Sequence, residues 1–273
     1  MSIRARRTVA VWAVVVGLVL ATGDLRAAIG TPVNITEWGF ADTTNATSYT
    51  TASSFTPTDG RLYLFVVVNA RTGGAADLPT VSTTAGLTVV QIATEPFDTA
   101  AVKRVTAFRA LVTSGATSGT VTVDFGGVTQ QGCALAVSEW TGIDTSGSNG
   151  SGAIVSANTV QGESAAGSEL TLNYAQAWAS GSAGWYGLGL NVNSALNPDA
   201  SWTELSDTGY SSPVARTGTG YALSEDSSVD FDSDSGSGTR IYAAVILEIK
   251  ADAGGGSVPR RLLSLTGAGR EAR

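Results

Sequence analysis

The apolar positions of this chain come in short runs. Thr120-Val121-Thr122-Val123-Asp124-Phe125 alternates strictly, which predicts a strand with Val121, Val123 and Phe125 facing inward and Thr120, Thr122 and Asp124 outward. Leu62-Tyr63-Leu64-Phe65-Val66-Val67-Val68 does not alternate at all. A strand apolar on both faces is central and needs two covers, expected here from a second sheet and from a long loop or a neighbouring subunit. Across residues 30–250 the runs are rich in Val, Thr, Tyr, Phe and Trp, are separated by Gly/Ser/Thr/Asp turns, and show no 3.6-residue period. The expectation is an all-β fold, an antiparallel β-sandwich of jelly-roll or Greek-key type whose connectivity protects its sheet edges.

The pattern also repeats. Thr120 to Phe125 followed by Cys133 to Trp140 compares with Ser228 to Asp232 followed by Tyr242 to Ile249, and Val105 to Leu111 compares with Gly218 to Leu223. Further back, Gly60 to Val68 compares with Gly184 to Val192, and Leu87 to Thr94 with Trp202 to Ser206. The order of elements is kept while the offset drifts with loop length, which predicts an internal pseudo-duplication with repeats at about 31–145 and 150–251. No linker with a change of composition separates them, so 29–251 reads as one many-stranded β-sandwich domain, the alternative being two small sandwiches in tandem.

The ends differ from this body. Residues 1–28 carry Arg4, Arg6 and Arg7, then an uncharged stretch from Thr8 to Gly23, and end in small residues, the pattern of a signal-like hydrophobic helix that is cleaved on export or kept as an anchor. Gly254-Gly255-Gly256-Ser257 opens a flexible basic tail, 252–273. Four arginines lie in each end, so residues 28–250 hold eight basic residues against twenty acidic ones, a net charge of −12. That body is a poor partner for nucleic acid, and membrane contact is expected only through an uncleaved N-terminal segment.

Only 14% of the 273 residues are charged, so Ser, Thr, Asn and Gly must form the polar surface. The chain has no His, which removes Ser-His-Asp and Cys-His hydrolases and His-ligated metal sites. Cys133 is alone and sits in an apolar run, the setting of a small buried hydrophobe.

The layout Pro57-x-x-Gly60 before an apolar strand, the Thr-Val-Thr-Val strand, Ala136-Val137-Ser138-Glu139-Trp140-Thr141-Gly142-Ile143-Asp144 and the closing Ala-Ala-x-Ile-x-Glu-Ile-Lys strand resembles uncharacterised jelly-roll-type β-sandwich proteins of phage virions and bacterial surfaces. The resemblance covers about 31–250. It implies a structural role: virion decoration, fibre attachment or an extracellular adhesive module.

Three constellations suggest chemistry. Glu139 and Glu248 end corresponding strands, and a glycan hydrolase would need them about 5–9 Å apart across a cleft. Asp230, Asp232 and Asp234 alternate like the ligands of a Ca²⁺ loop, although Gly236 comes one residue late and Ile241 stands where that loop needs Glu. Trp140, Trp178, Trp185 and Trp202 are the rings that a carbohydrate-binding module would stack on sugar faces, and the alternative for each is core packing. The resulting expectation is an exported, non-enzymatic, cofactor-free structural or adhesive protein at the cell surface or in an extracellular assembly. Other protein subunits or surface glycans are its expected partners, oligomers among them. The rival readings are a virion decoration or fibre protein and a carbohydrate-binding module, with a glycan hydrolase behind them.

Overall fold

The computed structural model describes residues 28–165, 168–174, 177–195, 197–231 and 239–253. The signal-like helix and nearly all of the basic tail lie outside the described residues. The chain is all-β. Its first half supplies β1 (Val33–Asn34), β2 (Phe40–Asp42), β3 (Ser48–Thr50), β4 (Leu62–Ala70), β5 (Thr80–Thr83), β6 (Val90–Phe97), β7 (Lys103–Leu111), β8 (Val121–Asp124) and β9 (Gly132–Trp140). The second half supplies β10 (Ile154–Ser164), β11 (Leu170–Asn173), β12 (Ala183–Leu190), β13 (Thr203–Ser211), β14 (Val214–Ala222), β15 (Ser228–Phe231) and β16 (Arg240–Ile249).

These strands form two large and two small antiparallel sheets. The first large sheet runs β1-β9-β4-β7-β6 with β2 also on β9, and the second runs β10-β16-β12-β14-β13. Replacing β2, β9, β4, β7 and β6 by β10, β16, β12, β14 and β13 turns one order into the other. A three-stranded sheet, β3-β8-β5, covers the outer face of the first large sheet, and β11-β15 covers that of the second. In place of β5 the second half has a single bridge, Pro198 to Phe231.

The period-2 geometry of a strand explains the four layers. Leu62, Leu64, Val66 and Val68 of β4 face the second large sheet, where they meet Trp185, Val245 and Leu247. Tyr63, Phe65 and Val67 face outward to Tyr49, Val81, Val121 and Val123 of the small sheet. The two covers expected for this non-alternating run are therefore the second half of the same chain and the small sheet, with no neighbouring subunit required. On the far side, Tyr186, Leu188 and Leu190 of β12 pack against Leu172, Val229 and Phe231.

The two large sheets stack with their orders opposed. β2 lies over β13 and β6 over β10; β9 lies over β14 and β7 over β16; β4 meets both β12 and β14 while β12 meets both β4 and β7. Every contact has its counterpart when the halves are exchanged, which is the pattern of an isologous, twofold interface written into one chain.

A shared irregularity marks the correspondence more finely. The β6–β7 register shifts between Gln91 and Ala93, and the β13–β14 register shifts between Glu204 and Ser206. Ile92 and Leu205, the extra residues of these bulges, both turn toward the seam between the large sheets. One alignment made from sequence requires correction. Tyr63 pairs with Glu139 and Gly184 with Glu248, so the counterpart of Gly184 is Tyr63, not Gly60. Gly60 serves a turn ahead of β4 with φ at 75°, whereas Gly184 lies inside a strand, where a Cβ would meet the rings of Trp178 and Trp202 at 2.7 Å.

Candidate functional site

The four tryptophans proposed as sugar platforms are core residues. Trp140, Trp178, Trp185 and Trp202 are 0%, 2%, 0% and 5% exposed. Trp178 and Trp202 do come together, with ring centroids 5.6 Å apart, but they lie under β11-β15 beside Tyr174 and Tyr186. Trp202 Nε1 donates to the Ser228 carbonyl at 3.0 Å, and Tyr174 Oη donates to the Trp185 carbonyl at 2.9 Å. Trp140 and Trp185 point to the opposite face, into the seam, where Trp140 meets Tyr221 edge to face at 6.1 Å. No two of these rings present a common exposed face.

The first half has an equivalent aromatic cluster that sequence reasoning missed. Trp38 is fully buried against Phe55, Tyr63 and Phe65, at centroid distances of 5.4, 5.9 and 6.1 Å, and its Nε1 donates to the Gly119 carbonyl at 2.9 Å. Its signal was weak because Trp38 stands in a short 3₁₀ turn, Thr36–Trp38, between two very short strands where no period can form.

The glutamates do correspond in position, yet they cannot act as a pair. Glu139 shares its face with Val137 and Leu135, on the outer side of the first large sheet, while Glu248 shares its own with Ile246 and Ala244, on the outer side of the second. The whole seam lies between them. Tyr63 Oη donates to Glu139 and accepts from the Thr58 N–H at 3.0 Å, and Arg61 Nε is 3.9 Å from Glu139. Burial, then the hydrogen bond to Glu139, pushes the Tyr63 hydroxyl far above its usual range. Glu248 accepts from the Ala179 N–H at 3.0 Å. Each carboxylate ends an apolar strand by satisfying nearby donors.

Of the calcium candidates, Asp230 accepts from the Thr171 hydroxyl across the β11–β15 pair, and its backbone carbonyl accepts from the Asp199 N–H at 2.8 Å. Asp232 and Asp234 lie outside the described residues. Among the described residues no group of three or more His, Cys, Asp or Glu side chains converges. Cys133 is fully buried, and burial pushes its thiol up, away from the reactive thiolate.

One concavity over the second outer core is small. Beside β13, on the outer face of the second large sheet, a cleft of about 10 Å³ is lined by Tyr186, Leu188, Leu190, Glu204, Asp207 and Phe231. Partial burial, followed by the neighbouring Asp207, pushes the Glu204 carboxyl up. Arg216 Nε donates to Asp207, and the other arm of Arg216 donates to the Asn193 carbonyl at 2.8 Å. The cleft has room for about one water and none for a sugar ring. A wider groove of about 430 Å³, lined by Ser201, Thr203, Tyr221, Ala222, Leu223 and Ser224, carries no charged group.

No helix of the described residues is long and apolar enough to cross a membrane. No family model matches the chain, and no curated protein or solved structure matches it either.

Proposed function

We propose that this chain is an exported structural or adhesive protein of the cell surface or of an extracellular assembly, a duplicated β-sandwich of jelly-roll type that works without a cofactor. The order β2-β9-β4-β7 over β3-β8-β5 supports the jelly-roll reading, with β6 joined to the larger sheet. The matching order and matching bulge of the second half support the duplication.

The observation that carries the functional reading is the use the fold makes of its chemically capable residues. The tryptophans fill cores, the paired glutamates lock strand ends on opposite outer layers, and the thiol is sealed in the first outer core. Much of what faces solvent is Ser, Thr, Asn and Gly, as on the small sheet, where Thr50 and Thr122 join their hydroxyls at 2.9 Å. Such a surface suits packing against other surfaces better than turnover of a substrate.

Intact mass and light scattering of the protein recovered from its native source, with the fractions assayed separately, test the reading. The expected result is a chain lacking about the first 27 residues, found in the surface or extracellular fraction. An intact N-terminus on a chain confined to the cell interior would overturn it.

A further inference from the structure

The four edges of the two large sheets are not alike. The β1–β2 edge is broken by the Thr36–Trp38 turn. β6 carries Glu95 and Pro96 and is bulged at Ile92, and β13 carries Glu204 and Asp207 and is bulged at Leu205. Each of these devices discourages the addition of a further strand. β10 is the least protected of the four. It is an eleven-residue strand, the longest among the described residues, without proline or internal break, its one register shift at Val155 near its start and its one charge at Glu163 near its end. One side is paired to β16 along its length, and among the described residues no strand pairs with the other.

We propose that β10 is a self-association edge, at which a second copy of this chain adds its own β10 antiparallel to extend the second large sheet into a ten-stranded one. The inference rests on the structural reading above and names the partner within it. A twofold axis near Thr159 sets Ala157 opposite Gln161 and Val155 opposite Glu163, so no like charges face each other. Over a body of net charge −12, the uncharged run Val155–Gly162 is where an identical acidic body approaches with least repulsion. A full-length pairing adds roughly ten backbone hydrogen bonds. It also brings together the exposed rows of Val155, Ala157, Thr159 and Gln161 from both copies, beside β6 of each. The counterpart edge in the first half is denied this role by the turn that seats Trp38.

Sedimentation velocity of the full chain, from about 1 to 100 µM, is the first test. The expected result is a concentration-dependent dimer whose dissociation constant rises at least about tenfold in Thr159→Lys, which sets two ammonium groups face to face, and is unchanged in Thr50→Lys on the outer small sheet. Thr159 is exposed, so the variant should melt with the wild-type chain, and thermal denaturation checks that. Mild oxidation of Thr159→Cys should give a disulfide-linked dimer, with no linkage in Thr50→Cys; Cys133 is buried in both backgrounds. A wild-type chain that stays monomeric over the whole range, or a dimer indifferent to Thr159→Lys, overturns the proposal. A monomer that is nonetheless found in the surface fraction would sink the edge alone, whereas a β10 dimer confined to the cell interior would sink the structural reading alone.

Discussion

The two halves of the molecule share a strand order and a bulge, yet they distribute side-chain volume in opposite ways. On the seam face of the first half, β4 presents Leu64, Val66 and Val68; the corresponding positions of β12 are Trp185, Gly187 and Gly189. A Cβ on Gly187 would meet Val66 at 2.9 Å and the Trp185 ring at 2.7 Å, and one on Gly189 would meet Phe97 at 2.9 Å. The branched chains of one half thus enter the hollows of the other, and one large ring replaces several medium ones. On the outer faces the contrast continues. β7 offers Thr106 and Phe108 where β14 has Gly218 and Gly220, and the first half lays a third strand over its outer core where the second, among the described residues, has only the Pro198 bridge. Topology is set by the placement of apolar positions, while identity at each position is free to drift as long as the partner across the seam compensates.

Removing the residue that closes the broken edge should give the largest effect. Trp38→Ala takes out a fully buried ring and leaves the Gly119 carbonyl without its donor, so a loss of about 4 kcal/mol in urea unfolding is expected. Trp202→Ala, in the second half, removes a slightly exposed ring from a cluster that keeps Trp178, Tyr174 and Tyr186, and about 3 kcal/mol is expected. A cost for Trp38→Ala below that of Trp202→Ala would mean that the turn between β1 and β2 is decoration and not a closure.

The exchange of volume across the seam comes next. Gly187→Val forces a branched side chain against Val66 and Trp185 and should cost about 3 kcal/mol. Adding Val66→Ala opens space at the same point. The double variant should lose at least about 1 kcal/mol less than the sum of the two single ones, measured as a cycle of urea midpoints. Strict additivity would show that the two halves do not compensate each other there.

Much of this was legible in the sequence, for reasons that differ by element. β4 announced a doubly covered strand because seven successive apolar residues have no other stable use, and β8 announced its faces by strict alternation. The order of the repeats followed from strands that keep their apolar pattern under drift. Register did not follow, because Gly60 and Gly184 look alike in sequence while one serves a turn and the other yields to two indoles. The reading of the tryptophans as exposed platforms missed their burial for a related reason. A tryptophan in a strand carries the same letter whether it faces a small sheet or solvent, and nothing local revealed that the second large sheet would be covered on both sides like the first. Trp178 and Trp202 are near each other as expected of a binding platform, and the lid that buries them comes from β11 and β15, too short and polar outward to advertise their reach. Glu139 and Glu248 matched in place, but their relation in space depended on whether the halves stack back to back, which is a property of the twofold seam and not of either strand.

The smallest effect expected lies where the halves are tied. Asp144 ends the first half and Lys250 directly follows β16; Lys250 Nζ donates to Asp144 at 2.7 Å, and the Asp144 N–H donates to the Lys250 carbonyl at 3.0 Å. The Lys250 hydrogen bond, followed by those from Ser146, holds the Asp144 carboxyl down to about 2, from an ordinary value of 3.8. Because the folded state binds this proton more weakly than the unfolded chain, the contribution is present above about pH 4 and fades as pH falls toward 2. Lys250 is partly exposed, so solvent screening reduces the contribution to about 1 kcal/mol. Asp144→Asn should therefore lower stability by about that amount at pH 7 and by almost nothing near pH 2, read from urea unfolding at each pH. The backbone pairing of Ile143 with Ala251 survives the substitution, so the seam should hold and only its pH dependence should change. A deficit that persists undiminished at pH 2 would place the role of Asp144 in its hydrogen bond to the Ser146 N–H, within one half, and not in the tie between them.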